Sequence, residues 1–106
     1  MPPQAIYLSA IRLLIENKAD LNAVSSTGDT RFTALMEASA RGLHSAVQLL
    51  IEHRADVNAA TNDGDTALMR AAFQIHEPTV RLLLEHKAHA NAVNKQRRNS
   101  VYKSKL

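Results

Sequence analysis

An internal repeat is the feature of this sequence that most restricts its fold. A pattern of three aliphatic residues, a glutamate, a basic residue and an Ala-x-x-Asn-Ala ending occurs in residues 13–23, 49–59 and 82–92, at spacings of 36 and 33 residues. A second motif, Thr-Ala-Leu-Met-x-Ala, begins at Thr33 and at Thr66. A period of this length indicates a stack of repeated units, because each unit can bury its apolar face only against its neighbours.

Each unit is predicted to contain two helices joined by a short connection. Thr33 and Thr66 are typical N-cap residues, because a threonine hydroxyl can accept a hydrogen bond from a free backbone N–H group of the first turn. Gly42 is expected to end the first helix of its unit, and Pro78 is expected near the start of a second helix. The second helices carry wide apolar stripes, typical of a helix between neighbours. The Asn-Asp-Gly run of residues 62–64 predicts a tight turn.

The two motifs together resemble the ankyrin repeat. The family's helix start, Thr-Pro-Leu-His-x-Ala-Ala, is similar to residues 33–39 and 66–72, with Ala and Met in place of Pro and His. The resemblance covers roughly residues 9–95 and implies an all-α solenoid of helix–turn–helix units joined by β-turn fingers. Where the family has glycine before Ala-Asp, this chain has Lys18, Arg54 and Lys87. A left-handed backbone at these positions would cost about 1 kcal/mol each relative to glycine.

The repeat divides the chain into two complete units and two partial ones. Residues 1–24 are expected to form a partial unit, with one helix from about Gln4 to Asn17. Residues 25–59, which include a three-residue insertion, and residues 60–94 form the complete units, and in the second of these Ile75 replaces the helix-ending glycine. Residues 95–106 are a basic stub or the start of a degenerate unit. About three units are normally needed for stability. We therefore expect either a monomer of marginal stability or part of a longer array.

Charge is distributed unevenly along the 106 residues. The net charge is +3, but residues 1–94 carry eight basic residues against ten acidic ones, and the last twelve carry five basic residues, Lys95, Arg97, Arg98, Lys103 and Lys105. The nearly neutral body argues against a nucleic-acid-binding domain. The chain has no cysteine, no apparent secretory signal and no apolar run near the ~20 residues that span a membrane. An intracellular, cytoplasmic location is therefore expected.

No pattern typical of an enzyme is found, and neither a metal nor a cofactor is predicted. No serine lies in a Gly-x-Ser-x-Gly motif, and three glycines cannot form a phosphate-binding loop. His53 and His86 hold equivalent positions one unit apart, about 10 Å on helix-packing distances, which is too far for two ligands of one zinc ion. His76 is expected to be structural. Arginines 97 and 98 before Ser100 make this serine a candidate phosphorylation site.

The ankyrin resemblance implies a non-catalytic module that binds another protein through its turn tips and the exposed faces of its first helices. The corresponding contact residues are Asp29, Thr30, Arg31, Phe32, Arg41, Asn62, Asp63, Asp65, Arg70, Phe73 and Gln74. The concave side is expected to include Met36, Glu37 and Met69. Phe32 and Phe73 either anchor a partner or pack on their own chain. The alternative function is electrostatic docking of residues 95–106 on nucleic acid or an anionic membrane.

Overall fold

The described part of the chain contains five helices. The computed structural model describes residues 3–20, 22–23, 33–96 and 98, and for residues 3–7 the backbone alone. In chain order the helices are α1 (Pro3–Glu16), α2 (Ala34–Ala40), α3 (His44–Glu52), α4 (Ala67–Phe73) and α5 (Glu77–Glu85). Among these residues no helix is long and apolar enough to cross a membrane.

The helices form two layers. An outer layer contains α1, α3 and α5, with α1 packed on α3 and α3 on α5, and an inner layer contains α2 packed on α4. Within each complete unit the inner helix also packs on the outer one, α2 on α3 and α4 on α5. The stack is thus built from translated helix pairs, as the repeat predicts, and α1 is an outer helix without an inner helix of its own in the described residues.

The ends of the helices follow the local sequence signals. The Thr33 Oγ1 accepts a hydrogen bond from the Met36 N–H at 3.2 Å, and the Thr66 Oγ1 accepts one from the Met69 N–H at 3.3 Å. Both predicted N-caps are therefore confirmed. Gly42 follows α2 with a φ of +66°, a left-handed conformation that suits glycine. Pro78 lies in the first turn of α5, where its missing N–H leaves no hydrogen bond unmade.

The core is built from aliphatic side chains of modest size. Leucines of the inner and outer helices are at most 1 % exposed, and the alanines that face them are fully covered; these residues are Leu35, Leu50, Leu68, Leu83, Ala38, Ala46 and Ala71. Small side chains allow the helices to approach closely. Met36 and Met69 are each 1 % exposed, so the expectation that they line the concave surface is wrong. Both lie on short inner helices whose sides are largely covered by neighbouring helices.

The three basic residues that replace glycine have left-handed backbones. The φ angles of Lys18, Arg54 and Lys87 are 59°, 71° and 68°. Each follows an outer helix, and the N–H group of the next residue donates to a carbonyl of the last helical turn, as in Ala55 to Leu50 at 3.0 Å. The conformational cost predicted from the sequence therefore applies at all three positions.

An asparagine ladder joins successive units on the side of these turns. The Asn22 side chain donates to the Arg54 carbonyl at 3.3 Å and accepts from the Asp56 N–H at 2.6 Å. The equivalent Asn58 donates to the Lys87 carbonyl at 3.2 Å and accepts from the His89 N–H at 2.8 Å. Each asparagine thus fixes the spacing of the next unit through two backbone groups.

Candidate protein-binding surface

A narrow turn, the α4 finger (residues 60–66), projects before α4. Ala60 and Thr66 form a bridge at its base, and the Thr61 N–H donates to the Asp65 carbonyl at 2.9 Å. The Gly64 N–H donates to the Thr61 carbonyl at 2.9 Å, and Gly64 has a φ of +85° that closes the turn. Asn62 and Asp63 are therefore exposed at the tip of the finger.

A second turn, the C-terminal finger (the described residues 94–96 and 98), lies beside it and has a similar pair of hydrogen bonds between its ends. The Asn94 N–H donates to the Arg98 carbonyl at 2.9 Å, and the Arg98 N–H donates to the Asn94 Oδ1 at 2.9 Å. The Asn94 Nδ2 donates to the Asp65 Oδ1 at 2.7 Å, and the Lys95 N–H donates to the Asp63 carbonyl at 2.7 Å. These two bonds hold the first residues of the basic segment against the α4 finger.

The exposed sides of the two inner helices form one continuous strip, the inner-helix face. On α4 it consists of Arg70, Phe73 and Gln74, which share one side of the helix at i, i+3 and i+4. The equivalent residues of α2 are Glu37, Ala40 and Arg41, and α2 packs directly on α4. Arg41 and Gln74 are exposed, and the other four side chains are partly exposed.

Ion pairs border the inner-helix face. The Arg41 Nε lies 2.7 Å from the Glu37 Oε1, with both side chains largely solvated. The Arg70 Nη2 lies 3.4 Å from the Asp65 Oδ2, which links α4 to its finger. The exposed Arg41–Glu37 pair contributes little to stability, so its side chains can be rearranged at low cost. The Arg70–Asp65 pair is largely buried. Ala40 and Phe73 are the apolar residues of the inner-helix face.

Ile75 lies two residues beyond the end of α4, directly after the last residue of the inner-helix face. Its side chain is 75 % exposed, the highest value among the large apolar residues that the structure describes. Its φ is +61°, at the position that Gly42 occupies in the preceding unit. A left-handed backbone costs an L-residue roughly 1–2 kcal/mol, and a β-branched residue is a true outlier there. Ile75 thus combines backbone strain with an uncovered side chain.

The comparison with known families agrees with this architecture. A family model described as ankyrin repeats, in three copies, matches residues 4–94. The chain belongs to the ankyrin repeat family. The three copies agree in number with the three occurrences of the longer sequence pattern. No curated protein matches the chain. Ankyrin repeats are generally modules of protein–protein interaction and are typically non-catalytic.

The contact residues carried over from the ankyrin family fall into three groups. Asn62 and Asp63 lie at the tip of the α4 finger, and Arg41, Arg70, Phe73 and Gln74 lie on the inner-helix face. The Asp65 carboxylate is half-buried and interacts with Asn94 and Arg70, so it links the α4 finger to the C-terminal finger and to α4. Four contact candidates lie outside the described residues, Asp29, Thr30, Arg31 and Phe32, as does the candidate phosphorylation site Ser100.

His76 joins the two ankyrin units at the ends of their inner helices. Its Nε2 lies 3.0 Å from the Ala40 carbonyl oxygen, and its ring covers Gly42, where an added Cβ would lie 2.5 Å from the Nδ1. The expectation that His76 is structural is confirmed. Within the described ranges, no group of three or more His, Asp or Glu side chains is placed to hold a metal ion.

Sequence reasoning did not include Ile75 among the binding candidates. The sequence does contain the signal, because a β-branched residue stands where the repeat places a helix-ending glycine. The signal became interpretable only once the left-handed backbone and the exposure of the side chain were both known. A strained, exposed residue is a reason to consider function at that position.

Proposed function

We propose that this ankyrin repeat chain is a non-catalytic module that binds a protein partner through the inner-helix face, Ile75 and the tip of the α4 finger. The observation that carries the proposal is Ile75, which is 75 % exposed with a φ of +61°. Glycine at this position would relieve the backbone strain. Because the Ile75 side chain is exposed, it gives the free chain little stability to offset the free-energy cost of that strain. A partner that covers it would recover about 1.5–3 kcal/mol from burial of the apolar group.

The surroundings of Ile75 favour a peptide segment with an apolar anchor. Phe73 and Gln74 precede it directly, and the small Ala40 lies at the position equivalent to Phe73 on the neighbouring helix. Charged side chains, Glu37 and Arg41 among them, lie around this apolar strip. An apolar centre with a polar border is the usual arrangement of a protein-binding surface.

The finger tip and Ile75 lie at opposite ends of α4. The seven residues of α4 alone extend about 10 Å along the helix axis, and the finger adds to this distance. An extended peptide needs three or four residues to cover the helix and further residues to reach the finger tip. The proposed partner segment would therefore place its apolar side chain at Phe73 and Ile75, and polar groups near Asn62 and Asp63.

A displayed library of random twelve-residue peptides tests the proposal directly. Peptides enriched on the wild-type chain are expected to lose at least tenfold in affinity with Ile75→Gly and with Phe73→Ala. They are expected to bind the control Gln48→Ala unchanged, since Gln48 is exposed on the outer helix α3. Ile75→Gly is especially informative because it should raise the melting temperature, so that lost binding cannot be attributed to unfolding.

Two outcomes would overturn the proposal. One is that the enriched peptides bind Ile75→Gly and Phe73→Ala as tightly as the wild type. The other is that binding falls steeply with salt and disappears when residues 95–106 are deleted, which would instead support electrostatic docking through the basic segment.

A further inference from the structure

Among the described residues, the asparagine ladder ends at the C-terminal side of the stack with an asparagine whose side chain bonds no other described residue. Asn91 occupies the position of Asn22 and Asn58 in the repeat. Those two residues each bond a carbonyl and an N–H group of the next unit. The Asn91 side chain is exposed and has no hydrogen bond to any other described residue. Its amide group therefore leaves a donor and an acceptor available for a further rung.

The N-terminal end presents the complementary backbone groups. The Lys18 carbonyl and the Asp20 N–H are equivalent to the groups of residues 54 and 56 that Asn22 binds. Neither group has a hydrogen-bond partner in the described part of the chain. The two ends thus carry the two halves of one further rung of the ladder.

Each end of the stack also exposes an apolar side chain that is more buried at the equivalent positions of other units. Leu13 is 60 % exposed, whereas the equivalent Leu82 is only 7 % exposed on α5, which packs on α3. At the other end Leu84 is 43 % exposed, whereas the equivalent Ile15 and Ile51 are partly buried in units that have a following unit. Each end therefore exposes an apolar residue whose equivalents are covered within the stack.

Charge does not oppose contact between the ends. The groove between α3 and α5 is lined by the first half of α3 and by residues along α5. At the ends of the stack the equivalent positions are Glu77 and Arg81 on α5, and Arg12 and Glu16 on α1. A groove formed between these two helices would contain two acidic and two basic side chains, with both signs on each wall.

We propose that copies of this chain associate head to tail, with α5 of one copy packed on α1 of the next in the arrangement that already joins the outer helices within the chain. Asn91 of one copy donates to the Lys18 carbonyl and accepts from the Asp20 N–H of the next copy, and Leu84 and Leu13 are covered. Such a contact is heterologous, so every assembly keeps one uncovered N-terminal end and one uncovered C-terminal end. The average number of copies in an assembly therefore increases with protein concentration. It uses the ends of the stack and is independent of the inner-helix face.

Sedimentation analysis of end-blocked variants tests this proposal. Leu13→Glu blocks the N-terminal end, and Leu84→Glu combined with Asn91→Ala blocks the C-terminal end. The wild-type chain is expected to gain average mass steadily with concentration, and each blocked variant alone is expected to remain near 11.7 kDa. An equimolar mixture of the two variants retains one compatible pair of ends, so it is expected to form a species of twice that mass and nothing larger.

The control is Gln48→Glu, which adds the same charge to an exposed position of the middle outer helix and is expected to associate like the wild type. Circular dichroism verifies that each variant is folded, and Leu13→Ala replaces Leu13→Glu if the latter is not. A wild-type chain that stays monomeric at every concentration would overturn the proposal. So would blocked variants that still dimerise alone, since that indicates a symmetric contact, or a mixture that remains monomeric.

Discussion

At the scale of single residues, four of the described residues other than glycine have a left-handed conformation. They are Lys18, Arg54, Ile75 and Lys87, with φ between 59° and 71°. Each lies two residues after the end of a helix, where the following N–H group donates to the carbonyl five residues earlier, as in the pairs Ala55–Leu50 and His76–Ala71. This hydrogen bond satisfies a helix-end carbonyl and requires the left-handed backbone whatever the side chain is.

Replacement of Arg54 by glycine is expected to stabilise the chain. Arg54→Gly should raise the free energy of unfolding by about 1 kcal/mol, because the strain at its φ of 71° disappears and its carbonyl still accepts the Asn22 bond. For a domain of this size that corresponds to a rise in melting temperature of about 4–8 °C. Thermal unfolding followed by circular dichroism measures it. The neighbouring His53→Gly, at a φ of −105°, should instead be neutral or destabilising. Equal effects of the two substitutions would contradict the structure.

At the scale of elements, the stack depends on a few contacts that cross from one unit to the next. The asparagine ladder acts at one end of the outer helices, and the His76 ring acts over the turn between α2 and α3. Both are polar contacts between segments about one repeat apart in sequence, so they fix the register of the units more than they contribute buried area. Their removal therefore tests the coupling between units separately from the packing of the core.

Loss of one rung of the ladder is expected to uncouple the last unit. Asn58→Ala removes the bonds to the Lys87 carbonyl and the His89 N–H and should lower the free energy of unfolding by about 1–2 kcal/mol. Urea unfolding measures this change. Asn17→Ala is the matched control. Asn17 directly follows α1, and its side chain donates to the Leu13 carbonyl of that helix and not to another unit. If both variants lose the same stability, the ladder does not couple the units.

The contact between His76 and Gly42 predicts a coupled pair of substitutions. Gly42→Ala places a Cβ 2.5 Å from the His76 Nδ1 at a φ of +66° and should destabilise the chain by about 1–3 kcal/mol. In a His76→Ala background the steric part of this loss should vanish and only the backbone part should remain. A double-mutant cycle in urea gives the coupling. An unchanged effect of Gly42→Ala in that background would mean that the ring does not lie over the glycine.

The sequence was sufficient to predict helix caps and helix bounds, because these depend on residues that are neighbours in the chain. Thr33 and Thr66 were correctly predicted as N-caps, and α1 was predicted to within about one residue at each end. Contacts between distant segments were not predictable in this way. The ankyrin resemblance gives Asp65 as a contact residue, but the bond that its carboxylate accepts from Asn94, 29 residues later, could not be predicted from the sequence. Met36 was placed on the surface because a short helix has few positions from which to identify its covered sides.

At the scale of the whole molecule, position in the stack decides what equivalent residues do. Leu14 and Leu50 lie in nearly identical sequences, yet Leu14 is 53 % exposed and Leu50 is fully buried. The difference arises because α3 has an inner helix and a neighbour on each side, whereas the described residues provide α1 with α3 alone. In a stack of this kind, stability is approximately the sum of unit and interface contributions, so the ends should open before the middle.

Hydrogen exchange at low protein concentration is expected to show this gradient. Of the side chains of α1 that are described, Ile11 alone is buried, whereas α3 buries Ala46, Val47 and Leu50. Because a buried leucine contributes about 1.5–3 kcal/mol, the α1 amides should be protected at least tenfold less than those of α3. The helix α5, which has an inner helix but no outer helix after it among the described residues, should be intermediate. Equal protection of α1 and α3 would mean that the stack opens only as a whole. A selective rise in α1 protection with concentration would further indicate that another copy covers this end.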